Sequence, residues 1–204
     1  MIAADESTRR ERKKDATRQL IVEQAMKLFE QQGYDATTME QIAAAADVAK
    51  GTLYNYFPVK EAIVAAYMRL ISAQAGPQVE QLLAATSSTR ECLHLLFRHV
   101  GQWQLPQRAM LERYLSYRLP QMLESLRNPE LRSGFDQTLQ KVIRRGIENG
   151  ELNYSQSVEE LTALLQSAYL MVMLSWLAHE EYDYPAGLGR MIDLFLDGAA
   201  VRTG

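Results

Sequence analysis

The sequence predicts an all-α chain, with a compact three-helix head at the N-terminus and a larger helical bundle behind it. Three observations predict it. Apolar residues recur with a period near 3.6 along most of the 204 residues. No run alternates apolar and polar residues for long enough to make a half-buried strand, and no Asn-Gly or Asp-Gly hairpin turn joins two such runs. Breakers fall at Gly33, Pro58, Gly76-Pro77, Pro106, Pro120, Asn128-Pro129, Asn149-Gly150 and Pro185, cutting the chain into helix-sized lengths.

Residues 1–14 are polar and basic and are expected as a flexible arm. The first helix is expected from Asp15 to Gln32, with Ile21, Ala25, Leu28 and Phe29 on one face and Val22 beside them. Gly33 ends it, because a left-handed residue after a helix is cheapest as glycine. Thr37 and Thr38 each precede an acid or amide by three residues (Glu40 and Gln41), and both pairs fit a capping box. A short helix over 39–46 follows, with Ile42 and Ala43 inward. Asp47 and Val48 make a tight break before another short helix over 49–56. Phe57 precedes Pro58 and is forced out of helical geometry. Pro58 suits the first position of a fourth helix, which carries Ile63, Val64, Tyr67, Met68 and Ile71 to about Ala75. Longer helices are expected at 78–86, 89–104, 107–118, 120–127, 130–149, 157–180 and 187–201, with Ser88 and Glu91 forming a further capping box. By role the chain divides at residue 60: 15–60 as one domain and 61–204 as another.

Composition narrows the function classes. Hydrophobic residues make up 47% and charged residues 23%, which excludes a disordered or fibrous chain. Cys92 is the one cysteine, so neither an internal disulfide nor a cysteine-based zinc site can form. The net charge of −3 excludes a general polycation but permits a local basic face. Six cations lie between Arg9 and Arg18 against Glu11 and Asp15. That run reads as a solvated tail or as a basic arm near a nucleic-acid backbone. The first 20 residues lack the apolar stretch of a secretory signal, and a cytoplasmic location is expected. Leu161 to Ala178 holds 18 uncharged residues but has acidic flanks on both sides. It is expected as a core helix surrounded by its own chain, not as a membrane span.

Two short helices joined by a tight break form a helix-turn-helix pattern, and small residues (Ala43 to Ala46, Gly51) crowd the crossing. The second helix of such a pair can lie in the DNA major groove. Here it offers Lys50, Gly51, Thr52, Tyr54 and Asn55. Lys50 can donate to guanine, Thr52 can touch a thymine methyl or a phosphate, and Gly51 lets the backbone approach closely. Leu53 and Phe57 are the natural inward residues. Tyr54 and Tyr56 cannot both join them, so their hydroxyls are candidates for phosphate. Lys60 opens the fourth helix, where a cation opposes the dipole and a phosphate would compensate it. Each feature also has a plain structural reading: threonines cap helices, and exposed lysines and tyrosines are solvated.

Taken as an ordered set, residues 16–67 resemble the DNA-binding domain of the TetR family of bacterial transcriptional regulators. The runs that carry the resemblance are Gly33-Tyr34-Asp35-Ala36-Thr37-Thr38-Met39-Glu40-Gln41-Ile42-Ala43 and Lys50-Gly51-Thr52-Leu53-Tyr54-Asn55-Tyr56-Phe57-Pro58-Val59-Lys60-Glu61. The Arg145-Gly146-Ile147-Glu148-Asn149-Gly150-Glu151-Leu152 stretch is also similar to members of that family. The resemblance implies a homodimer on a palindromic double-stranded DNA operator, with dimer contacts through the last two helices. It implies release by a small-molecule effector held in the C-terminal domain, most simply as a repressor. It matches Thr38 to a phosphate contact, Lys50, Gly51 and Thr52 to the base-facing stretch, and Tyr54, Tyr56 and Lys60 to phosphate contacts. Ala49 departs from the pattern, since a serine often precedes the lysine and would cap the helix.

Candidate effector residues are Trp103, Met110, Tyr114, Tyr117, Phe135, Tyr169, Met173 and Trp176. At helical spacing they read as core or as the lining of an adaptable apolar pocket. Few charges lie among them, which points to a mainly apolar effector. No cofactor is expected, nor a membrane partner. Two other classes stay open. One is a DNA-binding regulator without a small ligand. The other is a helical metal enzyme, for which Glu91 and His94 have the spacing of half a di-iron site, although no second copy follows.

Overall fold

The computed structural model describes residues 2–128, 132–152 and 155–199, with side chains from Arg10 onward. The Arg9 side chain, the expected helix start at 130 and the expected helix end at 201 lie outside the described residues. Among the described residues eleven α-helices follow one another: α1 Ile2–Gln32, α2 Met39–Ala45, α3 Lys50–Tyr56, α4 Lys60–Gln74, α5 Gly76–Ala85, α6 Thr89–Gln104, α7 Arg108–Arg118, α8 Met122–Arg127, α9 Phe135–Glu148, α10 Val158–Ala178 and α11 Tyr184–Ala199. Short 3-10 turns at Leu105–Gln107 and Leu119–Gln121 precede α7 and α8.

The chain forms two compact units, Met1–Leu70 with Ala109–Asn128, and Ile71–Arg108 with Pro129–Gly204. These units do not follow the division by role expected at residue 60. Most of α4 groups with the head, as does the α7–α8 segment.

Within the first unit the inward faces are those the periodicity predicts. Ile21, Val22, Ala25 and Phe29 of α1, Ile42 and Ala43 of α2, Leu53 of α3 and Ile63 and Val64 of α4 are all buried, whereas Leu28 is half-buried. Burying a large aliphatic or aromatic side chain contributes about 1.5–3 kcal/mol, so this cluster is what holds the short α2 and α3 in place. Two boundaries and one cap of the head differ from expectation. Helix α1 starts at Ile2, so residues 2–14 are helical and not a loose arm. They contain no Gly or Pro and are rich in Ala, Glu, Arg and Lys, all good helix formers. Pro58 lies two residues before α4, which opens at Lys60. Thr37 is no cap: it is buried, and its hydroxyl donates to the Gly33 carbonyl at 2.7 Å.

In the second unit α6 packs on α9 and α11, and α10 packs on α9 and α11. A Cβ on Gly101 would lie 3.0 Å from Leu188 Cδ1, so glycine sets how closely α6 and α11 approach. Gly134, at φ +88°, delays α9 to Phe135. The Arg145–Leu152 stretch is structural. The Arg145 guanidinium donates to the carbonyls of Leu83, Thr86 and Ser88, and the Glu151 carboxylate accepts the Thr89 N–H at 2.6 Å. Together they close the loop between α5 and α6. The Ser88 box is half-formed: its hydroxyl caps α6, but the Glu91 carboxylate turns to the Ser87 N–H instead.

Helix α10 is long and apolar enough to cross a membrane by length and composition. It is not surrounded by its own chain as expected. Leu161, Leu165, Tyr169, Met173 and Trp176 are buried, whereas Leu164 and Met171 stay 60% exposed on another face. The apolar sequence serves two faces, and only one is covered within a single subunit.

Candidate nucleic-acid interface

The helix-turn-helix is set by three local devices. Gly33 turns the chain at φ +88°. Thr38 then caps α2 in a full box: its Oγ1 accepts the Gln41 N–H at 3.2 Å, and the Thr38 N–H donates to Gln41 Oε1 at 2.8 Å. The Thr38 hydroxyl proton is not consumed by that bond; the Glu40 carboxylate accepts it in the free protein, and a phosphate would have to take its place. Asp47 closes the turn at φ +52°, a left-handed conformation that costs about 1–2 kcal/mol for most residues and that short acidic side chains tolerate best. The Val48 N–H then donates to the Ala43 carbonyl at 3.0 Å. Ala49 is the extended residue before α3 and supplies no side-chain cap.

Helix α3 is two turns long, and each strip of its surface has a different neighbour. Leu53 is inward and fully buried, and Phe57 follows it in extended backbone. Opposite Leu53, Gly51 and Asn55 are exposed, and a Cβ on Gly51 would meet nothing within 4 Å. On one flank Lys50 reaches α2, with its ammonium 2.5 Å from the Glu40 carboxylate and 5.9 Å from the centre of the Tyr54 ring. This pair holds Glu40 below the usual carboxylate range and Lys50 above the usual lysine value, mainly through their hydrogen bond. On the other flank, half-buried Thr52 and Tyr56 face a cleft beside α1. Tyr54 stays exposed, so neither tyrosine joins the core.

Lys60 has partners that the sequence does not suggest. Its ammonium donates to the carbonyls of Tyr34 and Thr37, each at 2.7 Å. An ammonium has three N–H groups, so one remains for a phosphate. The predicted set of Thr38, Lys50, Gly51, Thr52, Tyr54, Asn55, Tyr56 and Lys60 therefore lies on α2, α3 and the start of α4 of one compact unit. Sequence reasoning misses Glu40. Its signal is an acid in the first turn of α2, which reads only as part of a capping pattern.

The candidate effector residues divide between the units. Met110, Tyr114 and Tyr117 lie in the first, and Trp103, Phe135, Tyr169, Met173 and Trp176 in the second. In the second unit Phe135, Tyr169 and Phe97 form a triad of rings with centres 5.2–5.9 Å apart. Trp176 stacks on Tyr184 at 4.3 Å. Gln104, which sequence reasoning also misses, lies among them: its amide donates to the Tyr169 hydroxyl at 2.6 Å and accepts from the Tyr184 hydroxyl. Burial, together with Tyr169 and Tyr182 nearby, pushes the Tyr184 phenol well above its ordinary range, so it stays a neutral donor. A separate cavity of about 320 Å³ lies between α6 and α11, lined by His94, Phe97, Arg98 and Leu188 among others. None of the expected effector residues lines it. Glu91 and His94 are engaged elsewhere, Glu91 with Ser87 and His94 with Asp193 at 3.0 Å. Among the described residues no group of three or more His, Cys, Asp or Glu is placed to hold a metal ion.

Residues 21–67 match the family model described as bacterial regulatory proteins, tetR family. The structure is similar to that of Thermus thermophilus FadR, a TetR family transcriptional repressor in complex with lauroyl-CoA. The TM-score is 0.70 and the identity 30%, covering 92% of this chain and 97% of that one. The Bacillus subtilis fatty acid metabolism regulator protein is 22% identical over 180 residues, 87% of this chain and 93% of its own length. The Bacillus subtilis HTH-type regulator YuxN is 49% identical over 45 residues, which is 22% of this chain and only 16% of YuxN. Regulators of this kind are soluble proteins that bind DNA operators and small-molecule effectors and act as dimers. With the helix-turn-helix geometry in place and the likeness extending over nearly the whole chain, the chain belongs to the TetR family of bacterial regulatory proteins and is a ligand-responsive, DNA-binding transcriptional regulator.

Proposed function

We propose that this protein is a cytoplasmic repressor that binds an inverted-repeat operator as a homodimer and is released by a long-chain acyl thioester. The observation that carries the DNA half is the outer ridge of α3. Gly51 and Asn55 face away from the core with no protein neighbour over Gly51, Lys50 and Thr52 lie on the two flanks of the same short helix, and Tyr54 and Tyr56 stay out of the core. Such a ridge supports Lys50, Gly51, Thr52 and Asn55 as groups that meet base edges, with Thr38, Tyr54, Tyr56 and Lys60 as phosphate contacts.

Support for the effector comes from Thermus thermophilus FadR, which holds lauroyl-CoA and aligns along nearly the full chain. The second unit has a matching chemistry, with Phe97, Phe135, Tyr169 and Met173 offering an apolar and adaptable interior for an alkyl chain. Dimerisation through α10 and α11 is supported by Leu164, Met171 and Leu194, large apolar side chains left 60–75% exposed. A soluble monomer seldom leaves such a face uncovered.

The test is selection of binding sites from a random duplex pool by the full-length protein, followed by release. An inverted repeat with half-sites about one helical turn apart is expected. Lauroyl-CoA should then dissociate the complex where equimolar lauric acid or coenzyme A does not. Selection without release by any of the three would favour a regulator with no acyl ligand. No enriched sequence would contradict the DNA reading.

A further inference from the structure

The cleft on the Thr52–Tyr56 flank of α3 has a second wall. It is an open concavity of about 630 Å³, and its far side is α1 at Arg10, Lys13, Lys14 and Thr17. At about 100° per residue those four positions fall within one stripe of the helix, so three cations and a hydroxyl share one face. All three cations are exposed, whereas Thr17 Oγ1 donates its proton to the Lys13 carbonyl at 2.9 Å, so the cations are the groups this wall offers to an anion. Two acids border the cleft, Glu11 at the edge of the stripe and Asp47 at the turn before α3. The three cations outnumber the two acids and lie together on one face, opposite the Thr52 and Tyr56 side chains and the single carboxylate of Asp47.

We propose that the N-terminal part of α1 is a second wall of the DNA interface, with Arg10, Lys13 and Lys14 facing Thr52 and Tyr56 across a cleft that receives the sugar–phosphate strand of the bound duplex. This rests on the reading of α3 as the DNA-inserting helix and extends it. The stripe runs for two helical turns, about 10 Å. At about 3.4 Å of axial rise per phosphate in one strand, that length faces about three phosphates. The partner is the backbone and not a base, because exposed cations on flexible stems grip phosphate without reading sequence. The helical state of residues 10–17 fixes the spacing of the cations, which a loose tail would not.

The test compares the native protein, R10A/K13A/K14A and K27A, all full length, on a duplex selected by the native protein and on a random-sequence duplex. Alanine keeps the helix, and Lys27 is an exposed cation of α1 outside the cleft. Removing one cation that neutralises a phosphate flattens the plot of log affinity against log salt by about 0.9. The slope of the triple variant should fall by about two to three units per bound subunit on both duplexes, with the selected sequence still preferred by the same ratio. Acetylation of the native protein should show Lys13 and Lys14 protected by DNA and Lys27 unprotected. A triple variant with the slope of K27A, or Lys13 and Lys14 modified equally with and without DNA, overturns the proposal. If the native protein prefers no sequence, the reading of α3 fails instead, and the two failures are distinct.

Discussion

The Lys60 ammonium lies 4.4 Å above the centre of the Tyr34 ring while donating at 2.7 Å to the Tyr34 carbonyl. A second bond of the same length goes to the carbonyl of Thr37. One side chain at the first position of α4 thus ties that helix to the turn between α1 and α2. Lys60→Ala should lower the stability of the protein by about 1–2 kcal/mol, the low end for charge-assisted bonds because the site is half-exposed. It should flatten the salt slope by no more than about one unit, since one N–H is left for phosphate. Urea denaturation checks the first effect and DNA titration the second. Unchanged stability would contradict the brace.

In the proposed function, Glu40 is a competitor of DNA for Lys50, since it pairs with that ammonium in the free protein. Because the pair is exposed, it adds little to stability. Its carboxylate nevertheless holds the Lys50 ammonium against α2, beside the helix proposed to meet the base edges. Glu40→Gln should raise affinity for random-sequence duplex and steepen its salt dependence, because a negative charge leaves the interface and a cation is released. Fluorescence anisotropy at several salt concentrations reads both. Weaker binding would mean that the carboxylate positions Lys50 rather than restraining it.

Gln104 is a buried polar side chain inside the aromatic cluster of the second unit. Gln104→Leu deprives the Tyr169 and Tyr184 hydroxyls of their shared partner and should cost about 1–3 kcal/mol. Adding Tyr184→Phe should restore part of that stability, because one of the two buried hydroxyls that lost the amide is then removed. The Trp176–Tyr184 stack makes tryptophan fluorescence a suitable probe of the unfolding midpoint. Additive destabilisation in the double variant would contradict a shared network.

Leu194 of α11 is 75% exposed, so a charge there does not enter the core of the subunit. Leu194→Glu should leave the helical content unchanged and shift the protein from dimer to monomer in sedimentation velocity. It should also weaken operator binding, since a monomer presents a single α3. A variant that stays fully dimeric would place the interface elsewhere.

Much of the head is legible in the sequence because local chemistry decides it. Gly33 must be left-handed, Thr38 has Gln41 three residues on, and Leu53 in α3 and Phe57 just after it are the apolar residues that turn inward. Thr37 has the same spacing to Glu40, and only burial tells the two threonines apart. The first turns of α1 are harder to read, because their charges suggest a solvated tail while their helix propensity favours the conformation adopted. The Gln104 network is not legible, since its members lie 65 and 80 residues apart in the chain. The second apolar face of α10 reads as core, because hydrophobicity reports that a face is covered and not which chain covers it.

Gly51 separates folding from binding more cleanly than any other position, because a side chain there points into open space and its backbone φ is not positive. Gly51→Leu, titrated against a duplex selected by the native protein, tests whether α3 enters DNA. The account predicts an unchanged melting midpoint and an affinity about tenfold or more weaker, because the new side chain holds the helix away from the base edges. Native affinity in a folded Gly51→Leu protein would contradict it.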